Sequence, residues 1–194
     1  CELFGDGTFT PIDEYVKSEG QFATKVNITI DKETCTVSDN GRGISTEKNA
    51  NGEPICVDAV CKPMTGSNFE DDVNRKSIGM NGLGIKGSNI FSKEFECITC
   101  DGQNTVKINC KNNLAEKKFK VTKAGNKRGT TITFKPDFEK FGVSCFDDSI
   151  ISLIKTRLRF ISWFFPKCNI TFNGEKVGVK AKDFASMFPQ PAVV

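Results

Sequence analysis

The sequence Gly79-Met80-Asn81-Gly82-Leu83-Gly84-Ile85-Lys86-Gly87-Ser88-Asn89-Ile90-Phe91-Ser92 is the most informative stretch of this 194-residue chain. Glycines at positions 79, 82 and 84 allow the backbone to bend and to approach a ligand where a Cβ atom would clash. The residues that follow, 85–91, predict the start of a helix. Amide groups at a helix start attract phosphate oxygens, because they point outward and the helix dipole is positive there. The stretch therefore predicts a phosphate-binding loop without a lysine of the Walker type.

A second motif, Asp39-Asn40-Gly41-Arg42-Gly43-Ile44, lies upstream of the first. Asp39 ends a predicted strand, and its carboxylate is an acceptor suited to an exocyclic amine such as that of adenine. An aspartate before Asn-Gly is also common in plain turns between strands, and taken alone Asp39 favours that simpler interpretation. Together with the glycine-rich stretch downstream, it predicts a pocket for a purine nucleotide.

The composition is that of a folded domain with a weak electrostatic signature. Apolar residues make up 38% of the chain, and the net charge is +3 from 27 basic and 24 acidic residues. So mild a charge does not by itself indicate nucleic-acid binding. No apolar run approaches the roughly 20 residues needed to cross a bilayer, and we expect no membrane association. The chain begins with Cys1, which we interpret as a fragment, an internal start or a processed product.

The cysteines indicate free thiols rather than a disulfide framework. Several lie inside apolar strand or helix patterns, where a free cysteine packs as a small hydrophobic residue. The pair in Cys97-Ile98-Thr99-Cys100 has metal-site spacing, but the chain has no histidine and no second such pair, which argues against zinc. Reduced thiols favour the cytoplasm. The nine cysteines are at positions 1, 35, 56, 61, 97, 100, 110, 145 and 168.

The periodicities predict an α+β fold in one domain, residues 1–194: a two-layer α/β sandwich with a mixed, mostly antiparallel sheet and helices on one face. Segment 65–78 is charged, glycine-containing and aperiodic, and predicts a mobile lid over the phosphates. A helix is predicted over 149–164 from apolar residues at steps of three and four: Ile150, Leu153, Ile154, Leu158 and Ile161. Strands are predicted at 25–31, 34–38, 94–101, 105–110, 117–123, 129–135, 169–172 and 176–179, and further helices at 55–61, from 85, and at 182–187.

The order of the two glycine motifs and a third, Gly129-Thr130-Thr131-Ile132-Thr133-Phe134, resembles the GHKL ATPase superfamily, whose nucleotide-binding fold is also called the Bergerat fold. Within it, the chain resembles the ATPase region of type II DNA topoisomerases, and most of all the large subunit of T-even-type phages. The likeness runs from about residue 12 to about residue 177 and includes Pro136-Asp137-Phe138 and the hairpin Phe172-Asn173-Gly174-Glu175-Lys176-Val177. These two stretches make mismatch-repair proteins, histidine kinases and heat-shock chaperones of the same superfamily poorer matches.

The resemblance implies ATP with Mg²⁺ as the ligand. Asp39 would bind the adenine, and Thr130 would share a water with Asp39 and the base, although an ordinary strand threonine is the simpler interpretation of Thr130. Arg42 would pair with Glu14, although two independent surface charges would also fit. Lys86, one turn into the helix, is expected to be solvated rather than bound to phosphate. The implied ATP-binding residues are Asp39, Gly41, Arg42, Gly43, Ile44, Ile78, Gly79, Asn81, Gly82, Leu83, Gly84 and Thr130.

The residues before Ile12 depart from the family pattern. In the family, a helix presents a glutamate that activates the attacking water and, four residues later, an asparagine that holds Mg²⁺. Asp6 stands at the catalytic position and Thr10 at the metal position. Aspartate is one methylene shorter, a hydroxyl is a poorer ligand than an amide oxygen, and two glycines with Pro11 make this segment a poor helix. We expect a degenerate catalytic helix, so hydrolysis by this chain is an open question.

Two functions follow from these observations. The first is the nucleotide-binding part of an ATP-dependent type II topoisomerase, whose intact form is a dimer that acts on DNA with other subunits, in the cytoplasm of a bacterial host if a phage encodes it. The alternative is a degenerate or truncated relative that binds nucleotide or topoisomerase subunits without turnover. The resemblance further implies an N-terminal dimerisation arm and a C-terminal transducer domain, for which these 194 residues have no room, so we expect the isolated chain to be a monomer.

Overall fold

An eight-stranded, mostly antiparallel sheet forms the framework of the structure, a computed structural model that describes Tyr15 and residues 18–62, 84–125 and 127–178. Across the sheet the strand order is β5-β4-β3-β6-β2-β1-β7-β8, with β1 and β7 parallel to each other. The strands are β1 (Lys25–Ile30), β2 (Cys35–Asp39), β3 (Ser92–Cys100), β4 (Asn104–Lys111), β5 (Glu116–Lys123), β6 (Gly129–Pro136), β7 (Asn169–Phe172) and β8 (Glu175–Lys176).

The helices share a single core with one face of this sheet. In the described part of the chain they are α1 (Ile55–Cys61), α2 (Gly84–Ile90) and α3 (Asp148–Phe164), with a 3₁₀ helix at Phe138–Phe141. In β1, buried residues alternate with exposed ones, as a strand covered on one face requires. The buried core contains the inward side chains of the strands together with residues of α1 and α3. These helix residues are Cys56, Val57, Val60, Cys61, Ile154 and Leu158.

The opposite face of the sheet is polar. Thr36 of β2 and Thr133 of β6 form a cross-strand hydroxyl pair there, with their Oγ1 atoms 3.0 Å apart. Lys107 of β4 and Glu96 of β3 form an ion pair at 2.7 Å between Nζ and Oε2. The predicted α+β sandwich with helices on one face is therefore confirmed. In the described residues, no helix is long and apolar enough to cross a membrane.

The predicted elements are found with small differences. The 3₁₀ helix was not predicted, because four residues are too few for a periodic signal. Strand β8 is two residues long, at Glu175–Lys176, and does not continue into residues 177 and 178 as the predicted strand 176–179 would; residue 179 lies outside the described residues. The predicted helix over 149–164 is found as α3, in which Ile154 and Leu158 are buried while Leu153, from the same periodic set, is 48% exposed. The predicted lid, 65–78, and the predicted helix at 182–187 lie outside the described residues.

The described cysteines behave as small hydrophobic residues, as predicted. All eight are free thiols and seven of them are buried; Cys145 is half-buried. Cys61 of α1 and Cys110 of β4 are in contact, with the Sγ atoms 3.7 Å apart.

Candidate nucleotide-binding site

The core face of the sheet changes from apolar to polar at one end of β2, β6 and β3. Side chains two residues apart on a strand share a face, so the polar residues continue the rows that the buried apolar ones begin. The last apolar members of these rows are Val37, Ile132 and Cys97, and the polar residues that follow are Asp39, Thr130 and Thr99. The core thus has a polar rim at this end of the sheet.

The strand register places these three side chains in one line. Thr99 of β3 is opposite Thr130 of β6. In the β2–β6 pair, Ser38 is opposite Thr131, so the next residue of β2, Asp39, is level with Thr130 in the same antiparallel register. Asp39, Thr130 and Thr99 therefore form a line across three adjacent strands, which we call the polar row.

The Asp39 carboxylate is held by the turn that follows it. Its Oδ1 atom accepts a hydrogen bond from the Gly41 amide at 2.7 Å, the arrangement of an Asx turn. The Asn40 side chain accepts from the Lys25 amide at 2.8 Å and donates to the Thr24 hydroxyl at 3.0 Å, which ties the end of β2 to the start of β1. The bond from the Gly41 amide fixes the orientation of the Asp39 carboxylate at the end of β2.

The Thr99 hydroxyl connects the polar row to the loop after β2. Thr99 is fully buried. Its Oγ1 atom accepts a hydrogen bond from the Ile44 amide at 2.8 Å and lies 3.0 Å from Oγ1 of Thr130. Ile44 itself is partly buried and packs against the core. The segment that contains Gly41, Arg42, Gly43 and Ile44 is thereby fixed beside the polar row.

Two glycines allow close backbone contacts at this rim. At Gly43 φ is +80°, and a Cβ atom there would overlap the carbonyl oxygen of Cys100. At Gly129 φ is +131°, and a Cβ atom there would overlap the carbonyl oxygen of Asp39. Both positions require glycine, for conformation as well as for space.

Asp101, just after β3, anchors the loop further along. Its Oδ2 atom accepts hydrogen bonds from the amide and the hydroxyl of Thr46, at 2.8 and 2.6 Å. Its Oδ1 atom accepts from the amides of Gln103 and Asn104 in the β3–β4 turn, at 2.9 and 3.1 Å. Burial raises the pKa of the Asp101 carboxyl, but these hydrogen bonds outweigh it and hold the pKa well below its usual range.

Helix α2 is bound to α1 through a buried amide. The Asn89 side chain is fully buried and donates to the Val60 carbonyl oxygen at 2.9 Å. The prediction that Lys86 is solvated is wrong, because the residue is only 2% exposed. The polar side of α2 faces the interior while Ile90 is 39% exposed, so hydrophobicity alone misjudges which side of this helix is covered.

The Arg42 guanidinium lies over an aromatic ring. Its central carbon is 5.6 Å from the centroid of the Phe22 ring, within the range of a cation–π contact. Glu14, the partner implied by the resemblance, lies outside the described residues, so the pair stays a prediction. The same holds for Asp6 and Thr10. Within the described ranges, no three His, Cys, Asp or Glu side chains are placed to hold a metal ion.

This geometry agrees with a known family. Residues 12–140 match the model of the histidine kinase-, DNA gyrase B-, and HSP90-like ATPases. The chain belongs to this ATPase family. The match covers the glycine motifs, the polar row and the strands between them.

Among curated proteins, this ATPase domain is similar to DNA topoisomerases. It is 37% identical over 187 residues to the DNA topoisomerase large subunit of Enterobacteria phage T4, an overlap of 94% of this chain and 36% of that protein. It is 31% identical over 193 residues to DNA topoisomerase 2 of Meyerozyma guilliermondii, an overlap of 96% of this chain and 14% of that protein. The chain thus spans about a third or less of the curated relatives that it matches.

Among solved structures, the domain superimposes on the ATPase region of Saccharomyces cerevisiae topoisomerase II. In the complex of that region with ICRF-187, the TM-score is 0.86 at 26% identity, over 96% of this chain and 51% of that one. A second structure of the same region gives a TM-score of 0.81 at 25% identity, over 95% and 50%. The resemblance to type II topoisomerase ATPase regions and the GHKL fold are both confirmed.

The structure brings part of the predicted site together. Asp39 and Thr130 lie in the polar row, Gly41, Arg42, Gly43 and Ile44 follow Asp39 in the adjoining loop, and Gly84 begins α2. Asp6, Thr10, Glu14, Ile78, Gly79, Asn81, Gly82 and Leu83 lie outside the described residues, so their roles stay predictions.

Three further residues, Thr99, Asp101 and Asn89, hold the elements around the polar row, although the sequence alone assigns them no role there. Thr99 lies in an ordinary strand pattern, in which the nearby cysteines Cys97 and Cys100 are the more unusual residues. Asp101 precedes Gly102 and indicates only a hairpin turn. Asn89 is fully buried in a short helix, and a buried asparagine needs a hydrogen-bond partner. Its burial therefore indicates a structural contact.

Proposed function

We propose that this chain is the ATP-binding part of an ATP-dependent type II DNA topoisomerase. Nucleotide binding by the intact, dimeric enzyme would drive closure of a gate during DNA strand passage. The membership in the ATPase family and the likeness to topoisomerase ATPase regions support this proposal. The single observation that carries it is the polar row at the rim of an otherwise apolar core, beside the Asx turn of Asp39.

The chemistry of the row suits adenine. Asp39 presents an acceptor to the exocyclic amine, and the bond from the Gly41 amide prevents the carboxylate from turning away. Thr130 is level with Asp39 and supplies a hydroxyl for the shared water. The apolar residues behind the row offer a surface for the flat base, since nucleotide pockets combine apolar walls with a few placed polar groups. Residues 79–84 would hold the phosphates, and Mg²⁺ would be bound by oxygen ligands that include Thr10.

A second candidate is a nucleotide- or subunit-binding module that does not hydrolyse ATP. The observation that favours it is the pair Asp6 and Thr10, at the positions where the family carries glutamate and asparagine. Steady-state ATP hydrolysis by the chain, abolished by Asp39→Asn, would exclude this candidate. Nucleotide binding with no turnover would support it.

The first experiment is calorimetric titration with a non-hydrolysable ATP analogue and Mg²⁺. Asp39→Asn retains an oxygen for the Gly41 amide but turns a donor toward the adenine amine. We expect affinity to fall at least about 10-fold, as for loss of a hydrogen bond to a charged group.

The matched control is Asp31→Asn. Asp31 also holds an Asx-type turn, with its Oδ1 accepting from the amides of Glu33 and Thr34 at 2.7 and 2.6 Å, but it lies at the other end of the β1–β2 pair. Binding unchanged by Asp31→Asn and lost with Asp39→Asn would support the pocket. Equal losses in both variants, or no binding by the unmodified chain, would refute it.

A further inference from the structure

We infer that Thr99 is a positioning residue of the nucleotide pocket: its buried hydroxyl fixes Thr130 as a hydrogen-bond donor toward Asp39 and the base. The inference rests on the proposed function, because it assigns a task to Thr130 in binding adenine. It adds a residue from β3 that does not itself touch the ligand.

The direction of the hydrogen bonds follows from the groups involved. An amide N–H can only donate, so Thr99 Oγ1 is the acceptor in its 2.8 Å bond with Ile44. A hydroxyl has one hydrogen of its own. Thr99 is fully buried, and within the described parts of the chain its remaining partner is Thr130 Oγ1, at 3.0 Å. If Thr130 were the donor, the buried Thr99 hydrogen would have no acceptor among the described residues, and buried polar groups are normally hydrogen-bonded. We therefore assign the Thr99 hydrogen to the bond with Thr130.

The consequence falls on Thr130. Because its oxygen accepts from Thr99, its own hydrogen is directed away from β3. Asp39 lies level with Thr130 on β2, the strand on the other side. A hydroxyl that only donates in this direction suits a carboxylate oxygen, or a water that passes its two hydrogens to Asp39 and to an adenine ring nitrogen. The hydrogen bonds along the polar row therefore all run in one direction. The Ile44 amide donates to Thr99, Thr99 donates to Thr130, and Thr130 donates toward Asp39 and the ligand.

A second pair of threonines offers a control, because its hydroxyl contact lies away from the pocket. Thr36 and Thr133 are also opposite each other on β2 and β6, with Oγ1 atoms 3.0 Å apart, but they lie on the polar face of the sheet. Loss of that pair removes a similar hydroxyl contact from β6 and leaves the pocket untouched. Thr133→Val is therefore the control for substitutions in the polar row.

The test is a double-mutant cycle on the affinity for the non-hydrolysable ATP analogue. Thr99→Val should weaken binding about 3- to 10-fold, the loss expected for one hydrogen bond. Thr99→Ser, which keeps the hydroxyl, should bind within about 2-fold of the unmodified chain, and Thr133→Val should bind equally well. If Thr99 acts through Thr130, Thr99→Val should cause no further loss in a Thr130→Val background.

Two results would overturn this inference but leave the proposed function intact. One is an unchanged affinity for the ATP analogue in Thr99→Val. The other is an equal loss of affinity from Thr99→Val in the unmodified chain and in the Thr130→Val background. The second would mean that Thr99 acts by holding the Ile44 loop. Failure of the unmodified chain to bind would instead overturn the proposed function and the inference with it. If Thr99→Val does not fold, Thr99→Cys takes its place in the cycle, since a thiol is of similar size to serine and a weak hydrogen-bonding group.

Discussion

Gly43 and Gly52 have nearly the same backbone conformation, with φ of +80° and +79°, but opposite surroundings. A Cβ atom at Gly43 would overlap the carbonyl oxygen of Cys100, whereas a Cβ atom at Gly52 would meet nothing within 4 Å. Substitutions at these two glycines therefore distinguish two contributions to the free energy of unfolding. One is the strain of a left-handed backbone, and the other is the close contact with the end of β3.

Gly43→Ala should destabilise the chain more than Gly52→Ala does. Both variants place alanine in a left-handed conformation, at a cost of about 1 kcal/mol. Only Gly43→Ala must also move the loop away from the end of β3, and we expect a further loss of about 1–3 kcal/mol, as for overpacking. Urea unfolding of both variants measures the difference. Equal free energies of unfolding would show that the contact with Cys100 is not tight.

Asp101→Asn should destabilise the chain at neutral pH. The carboxylate accepts four hydrogen bonds, and the amide nitrogen of asparagine cannot replace the oxygen that serves Thr46. We expect a loss of about 1–3 kcal/mol. Asp147→Asn is the control, since its single side-chain bond, from the Ile150 amide, is one that asparagine keeps at a helix N-cap.

The effect of Asp101→Asn should depend on pH in a defined direction. The hydrogen bonds lower the pKa of Asp101 in the folded state below its value in the unfolded chain. Its stabilising contribution is therefore complete above the unfolded pKa, about 4, and decreases as the pH falls toward the folded pKa. The difference in unfolding free energy between the unmodified chain and Asp101→Asn should shrink below about pH 4. A difference that grows on acidification would contradict this assignment.

The sequence predicts the strands and the end of the pocket that lies on β2, because local patterns determine both. Strand alternation and the Asp39 turn need only a few neighbouring residues. Thr99 and Thr130, by contrast, are 31 residues apart, and their contact depends on β3 pairing with β6 across the intervening β4–β5 hairpin. No local pattern specifies that pairing. Lys86 shows a related limit, since its burial depends on how α2 packs rather than on the sequence of α2.

Gly129→Ala should weaken nucleotide binding as well as stability. A Cβ atom at this position would push against the carbonyl oxygen of Asp39 and shift the start of β6, which carries Thr130. We expect at least a 10-fold loss of affinity for the ATP analogue, since a displacement of about 1 Å in a positioned site commonly costs 100-fold in function. Gly125→Ala is the control, because a Cβ atom there meets nothing within 4 Å. Equal affinities in the two variants would show that Asp39 is not displaced.

The thiols should differ sharply in reactivity in the native state. Burial raises the pKa of Cys35 to about 12 and the pKa values of Cys56 and Cys168 to about 11, which leaves little of the reactive thiolate at pH 8. Cys145 is half-buried. Under native conditions we expect Cys145 to react with a maleimide at least about 100-fold faster than these three, as measured by mass spectrometry of the labelled peptides. Cys145→Ser should remove the rapid labelling of this peptide, and denaturant should bring the rates of Cys35, Cys56, Cys145 and Cys168 together. Fast labelling of Cys35 or Cys56 in the native chain would mean that this part of the core opens readily.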